Sequence, residues 1–137
     1  MIINIWAVLI CAVVSMVIGF VWYGPMFGKA WMRICGAKFN SPEEIQKAQK
    51  AAMPLYALQF ILVILQVLIL QGFTYGLPFS FALHNTLLAY FGFVMPTVAA
   101  SAMYNGNANK MKWLQFWIQA GYYLVLFIIF AAILSAF

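Results

Sequence analysis

Trp22-Tyr23-Gly24-Pro25-Met26-Phe27-Gly28-Lys29-Ala30-Trp31 closes an unbroken apolar run and opens the most basic part of a 137-residue chain. The run before it, from about residue 2 to residue 23, carries no charged side chain. At about 1.5 Å per residue it is long enough to cross a hydrocarbon core of about 30 Å. Trp22 and Tyr23 at the end of such a run belong at headgroup depth, as does Trp31 a little further on. Gly24-Pro25 predicts a helix stop, and Lys29 and Arg33 supply charge on the wet side. The stretch therefore reads as an interface motif where the chain leaves a bilayer.

Composition agrees. Hydrophobic residues make up 67% of the chain and charged residues 7%, too few polar groups to cover a water-soluble surface. The net charge of +5 is not that of a nucleic-acid binder, which carries Lys and Arg on a polar surface, so no nucleic acid is expected as a partner. Cys11 lies inside an apolar run and Cys35 in the basic segment, at different depths, so both are expected as free thiols. The uncharged start and the length of its apolar run differ from a cleaved secretory signal, and the first segment is expected to be a retained span. Ile10 before Cys11 gives no lipidation signal.

Along the first span Ala7, Cys11, Ser15 and Gly19 recur every fourth residue, a stripe that lets another helix approach closely in lipid. Ordinary helix packing is favoured over a pore lining. Residues 24–53 form a basic connection, with Lys29, Arg33, Lys38, Lys47 and Lys50 against Glu43 and Glu44. Ser41-Pro42-Glu43-Glu44 is a capping-box start for a short helix reaching Ala52. Phe27, Trp31, Met32 and Ile34, interleaved with Lys29 and Arg33, suit the interface plane.

Pro54 stands at the entry to a second span, 55–73, in which Gln59 and Gln66 share one face and should point at partner helices. An uncharged turn precedes the third span, 81–104. His84 and Asn85 stand near its start, and Gly92, Pro96 and Ala100 repeat the small pattern. Pro96 predicts a kink, read as structural rather than as a solute contact. Asn105-Gly106-Asn107-Ala108-Asn109-Lys110-Met111-Lys112 is a turn by composition, and the fourth span, 113–136, puts Gln115, Gln119 and Tyr122 on one face. A faint echo between the Tyr23 and Tyr104 exits, each followed by Lys and Trp, is explained by what such exits need.

Lys and Arg number five in the first connection, none in the second and two in the third, with none at either terminus. The positive-inside rule then places 24–53 and 105–112 in the cytoplasm and both termini outside. The expected fold is an all-α membrane protein: four transmembrane helices in a bundle, plus a short cytoplasmic interfacial helix between the first and second spans, in a single domain over 1–137. Its basic face is expected to meet anionic lipid of the bilayer.

Reactive groups are scarce. One histidine and two adjacent carboxylates assemble no acid–base pair, hydrolase triad or phosphate loop. No ligand spacing suggests a metal, and no cofactor is expected. His84 is isolated and reads as a polar interfacial side chain. The absence of ionisable Asp, Glu, Lys or Arg inside the spans disfavours proton-coupled pumps. Two classes of role remain. The favoured one is a non-enzymatic structural or interaction protein, forming a homo-oligomer or a partner complex. The other is an oligomeric channel or facilitator for a small ion or neutral solute, with Gln59, Gln66, His84, Gln115, Gln119 and Tyr122 lining a polar path.

The stretch from Trp22 to Met32 resembles the W-Y-G-P-L-F-G-K-x-W signature of a family of small bacterial four-span membrane proteins catalogued as a domain of unknown function. Gln119-Ala120-Gly121-Tyr122-Tyr123-Leu124 is similar to the N-A-G-Y-Y-L element of that family's last helix. The resemblance implies a bacterial inner-membrane location and a four-helix fold, and brings no activity, cofactor or catalytic residue. Here Gln119 replaces the usual Asn, and the third connection has Asn-Gly-Asn-Ala-Asn where charges are common, so roles resting on those charges do not carry over. Gly24-Pro25 and Trp31 are expected to fold the basic connection back under the helices.

Overall fold

The computed structural model describes residues 2–36 and 38–137. Its elements are α1 (Ile5–Val21), a π turn (Trp22–Met26), α2 (Gly28–Cys35), α3 (Pro42–Thr74), α4 (Phe79–Ala89), a second π turn (Tyr90–Val94), α5 (Met95–Met103) and α6 (Asn109–Ala136), with no strand among the described residues. Four helical stretches are long and apolar enough to cross a membrane: Ile5–Met26, Pro42–Thr74, Phe79–Met103 and Asn109–Ala136. This is the pattern of a multi-pass membrane protein.

Local chemistry sets the ends. Asn4 caps α1, its side-chain oxygen accepting from the Trp6 and Ala7 N–H groups at 3.1 and 3.3 Å. Ser41 Oγ accepts from the Glu44 N–H at 3.3 Å, while Glu44 Oε2 accepts from the Asn40 N–H at 2.8 Å. These bonds satisfy donors that a helix start leaves over.

Two prolines behave differently from the sequence expectation. Gly24-Pro25 does not stop the first helix. The chain winds through both residues in a wider turn, the Phe27 N–H donating to the Trp22 carbonyl at 2.9 Å, and breaks only at Phe27 (φ −122°, ψ 11°). Pro25 has no N–H to offer the carbonyl one α-turn back, and a π turn accommodates that loss. At Gly28 an added Cβ would lie 3.1 Å from the Tyr23 carbonyl oxygen, so a glycine lets α2 start against the turn it leaves.

No new helix starts at Pro54. It lies inside α3, which runs unbroken for 33 residues from its Ser41 cap. Pro54 is exposed, so the single carbonyl it orphans faces outward, where water or headgroups can satisfy it. The 24–53 connection is thus mostly helix: all of α2 and the first third of α3.

In the third stretch the expected kink at Pro96 is preceded by the π turn, with the Met95 N–H donating to the Tyr90 carbonyl. Thr97 Oγ1 donates to the Phe93 carbonyl at 2.6 Å. A π turn and a proline in succession are the usual causes of a bent helix.

The last helix is the hub. α6 packs against α1, α2, α3, α4 and α5, while α1 also lies on α3, and α3 on α4. Val8, Cys11, Val63, Val67, Leu126, Phe127 and Phe130 form the core between them. In a bilayer such packing rests on dispersion and close approach, since lipid tails are as apolar as the side chains they replace.

Ala7, Cys11 and Ser15 are buried here, and Gly19 faces the Tyr122 ring. Cys11 is buried and Cys35 exposed, both free. Partial desolvation pushes the Cys35 thiol above its ordinary value, which thins its thiolate at neutral pH. Maleimide is therefore expected to label Cys35 in the folded protein at a rate still climbing at pH 9, and to reach Cys11 only after denaturation. Equal labelling of both thiols by mass spectrometry would overturn this packing of α1.

Candidate functional site

Polar side chains concentrate where α1 ends against the middle of α6. Trp22 Nε1 donates to the Ile118 carbonyl at 3.0 Å, Tyr90 Oη to the Ala120 carbonyl at 2.6 Å, and Tyr122 Oη to the Ser15 carbonyl at 3.1 Å. Each bond joins one membrane-length helix to another. Together they clamp α6 over residues 118–122, little more than one helical turn.

Two glycines make the clamp possible. A Cβ on Gly121 would lie 3.2 Å from Trp22 Cζ2, and one on Gly19 would lie 3.0 Å from the Tyr122 hydroxyl. The indole and the phenol thus rest on bare backbone. Ring contacts extend the cluster: Tyr23 meets Tyr122 at 5.2 Å and Trp31 at 4.8 Å, and Trp22 meets Phe27 at 4.9 Å. These separations suit tilted or edge-to-face pairs.

The Trp22–Trp31 and Gln119–Leu124 stretches are therefore two halves of one contact. Trp22, Tyr23 and Trp31, expected at headgroup depth, are all half-buried against neighbouring helices. Trp6, Tyr104, Trp113 and Trp117 are among the aromatics that face outward instead. Gly24, Pro25, Lys29 and Arg33 are exposed. α2 folds back against α6, with Ile34 buried and the Asn107 amide donating to the Ile34 carbonyl at 3.4 Å.

The candidate polar path divides. Gln115 pairs with Asn105 and donates to Gln119 at 3.5 Å, forming a ladder at the start of α6. Gln59 and Gln66 lie elsewhere, on a lateral groove of about 330 Å³ between α3 and α5. Tyr122 is spent on Ser15, and His84 is exposed in the middle of α4. Gly92, Pro96 and Ala100 do not pack within the chain either; all three are exposed, and nothing lies within 4 Å of a Cβ on Gly92.

Several participants went unread in the sequence. Tyr90 was passed over although a phenol inside a span must find a partner. Gln71 and Thr86 are buried on α3 and α4, and Gln71 Oε1 and Thr86 Oγ1 have no partner. Only tertiary placement distinguishes them from the other polar residues of these helices. Among the described residues no cluster of His, Cys, Asp or Glu is arranged to hold a metal.

The model of a protein family described as "Protein of unknown function (DUF1761)" matches residues 6–135. No curated protein and no solved structure matches the chain.

Proposed function

Because the chain belongs to the DUF1761 family of proteins of unknown function, which lends it no reaction, we propose its role from its geometry. It is a non-enzymatic structural or interaction protein: a four-helix bundle in the bacterial inner membrane that works as a homo-oligomer or with a protein partner. The observation that carries this reading is the clamp. Trp22, Tyr90 and Tyr122 each spend their polar atom on a backbone carbonyl of another helix. Such bonds hold helices in register and occupy the polar atoms of these three side chains.

In this reading both termini lie outside, and the basic side, with α2 and the capped start of α3, is cytoplasmic and meets anionic lipid. Ala7, Cys11, Ser15 and Gly19 serve contacts inside one chain. Assembly then falls to the exposed Gly92, Pro96 and Ala100 face, where a second helix can come close. The division of the glutamines between a groove and an end ladder gives a through-path no support.

Crosslinking in native membranes, followed by mass determination in lipid nanodiscs, tests this. A species larger than one chain is expected, and Gly92→Leu combined with Ala100→Leu should dissociate it without lowering the unfolding midpoint. Liposomes carrying the protein should pass ions and small solutes no faster than empty ones. A single uncrosslinked chain, or flux above the empty control, would overturn the proposal.

A further inference from the structure

The third membrane-length stretch, Phe79–Met103, consists of two half-helices held in unlike ways. The α4 half is fastened. Ala82, Thr86 and Tyr90 recur every fourth residue and are all buried. Tyr90 Oη donates to the Ala120 carbonyl of α6 at 2.6 Å, and the Asn85 amide donates to the Phe73 carbonyl of α3 at 2.9 Å. Two neighbours therefore hold this half by hydrogen bonds as well as by packing.

The α5 half is held loosely. After Pro96 it continues Thr97-Val98-Ala99-Ala100-Ser101-Ala102, a run of short side chains that bring little dispersion energy to any neighbour. Ala102 is its one buried residue, and among the described residues the core takes nothing of α5 past Met95. The Thr97 hydroxyl spends its bond on Phe93, inside the same stretch. A cleft of about 270 Å³ lies between α5 and α6, and the groove of about 330 Å³ lies between α5 and α3. Close packing leaves few such voids, so α5 has room on both flanks. Segments with few buried apolar contacts open at low free energy.

The junction between the halves suits a pivot. It is the π turn Tyr90–Val94, in which the Met95 N–H bonds to the Tyr90 carbonyl. Pro96 has no N–H to offer the Gly92 carbonyl, and Gly92 itself adds backbone freedom. A firm half and a loose half joined by a turn short of backbone bonds make a hinge.

The far end of α5 is tied by amides alone. Asn105 pairs with Gln115, whose own amide donates to Gln119 at 3.5 Å, and the Asn107 amide reaches the Ile34 carbonyl of α2 at 3.4 Å. These are neutral bonds beside the exposed Tyr104 and Gly106, where water competes for the same groups and keeps their net worth small.

We propose that α5 is a lever that pivots at the π turn, with Tyr90 as its fixed point, and that the Asn105–Gln115 pair latches its free end to α6. Released, that end swings off α6 toward α3. The swing closes the groove and brings α5 onto a wall that carries Gln59 and Gln66, polar groups that gain from protein contact over lipid. The movement takes place within one chain, so it stands apart from assembly at Gly92, Pro96 and Ala100.

Spin-label distances in nanodiscs test this, in a Cys35→Ser chain whose remaining cysteine is buried. Leu55→Cys/Ser101→Cys spans α3 and the free end of α5, and Leu65→Cys/Leu88→Cys spans α3 and α4. All four positions are exposed, and labelled chains are diluted with unlabelled ones so that only distances within a chain are read. Two distances are expected for the first pair and one for the second. Asn105→Ala/Gln115→Ala should raise the ratio of the shorter to the longer distance about fivefold, the worth of one neutral hydrogen bond. Gly92→Ala/Pro96→Ala, which returns an N–H to the carbonyl at 92, should leave one distance. Hydrogen exchange of the unaltered chain needs no variant: amides of residues 98–103 should exchange about tenfold faster than those of residues 83–89. A single distance for the first pair with and without the latch, equal spread in both pairs, or equal exchange of the two halves would each overturn the proposal.

Discussion

Gly121→Leu is expected to lower the stability of the folded chain by about 3 kcal/mol, the upper range for forcing extra carbons into a filled contact. The cause is local: even a Cβ at this position would lie 3.2 Å from Trp22 Cζ2. A leucine must push the indole off α6 and break its bond to the Ile118 carbonyl. Gly121→Ala should cost within about 1 kcal/mol, because the indole needs to yield only a few tenths of an ångström. Gly24→Ala, with nothing within 4 Å of the added carbon, should stay within about 0.5 kcal/mol of wild type. Reversible unfolding in mixed micelles measures all three. Equal effects of Gly121→Leu and Gly24→Ala would remove the indole from its seat.

Trp22→Ala is the second large effect. A buried aromatic cut back to alanine costs about 3–5 kcal/mol, and the half-buried position of Trp22 places it near the lower end, about 3 kcal/mol. Trp22→Phe keeps much of the ring contact and loses the N–H, so about 1 kcal/mol is expected, the usual net value of one hydrogen bond. The two sites touch, so their effects should not add. Once the indole is gone, Leu at 121 has room. The Gly121→Leu/Trp22→Ala double variant should therefore be more stable than the sum of its parts by about 1–2 kcal/mol. Simple additivity would separate the two positions.

What the sequence made legible was what depends on neighbours along the chain. Four apolar runs of spanning length are a local property, and all four became helices of membrane length. The Ser41 cap is local too: Ser41 Oγ accepts from the Glu44 N–H as the spacing predicts, while the Glu44 carboxylate reaches one residue further back, to the Asn40 N–H. What stayed hidden depends on rotation and on strangers in sequence. Whether Trp22 turns to lipid or to protein is decided by Gly121, about a hundred residues away, and aromatic composition at a helix exit is the same in both cases. Pro25 and Pro54 were read by the average behaviour of proline. The helices continue through both, by a π turn at the one and at an exposed position at the other. The glutamines show the same limit, since residues that share one face of one helix carry no record of what stands opposite.

The unbroken run of α3 has a consequence for reach. At 33 residues it is about 50 Å long, well beyond the hydrocarbon core of about 30 Å that a span must cross. The surplus falls on the basic side, where Lys47 and Lys50 come within reach of headgroups. Helical structure runs through Pro54, so one continuous element carries both the Ser41 cap at that side and Gln59 and Gln66 on the groove.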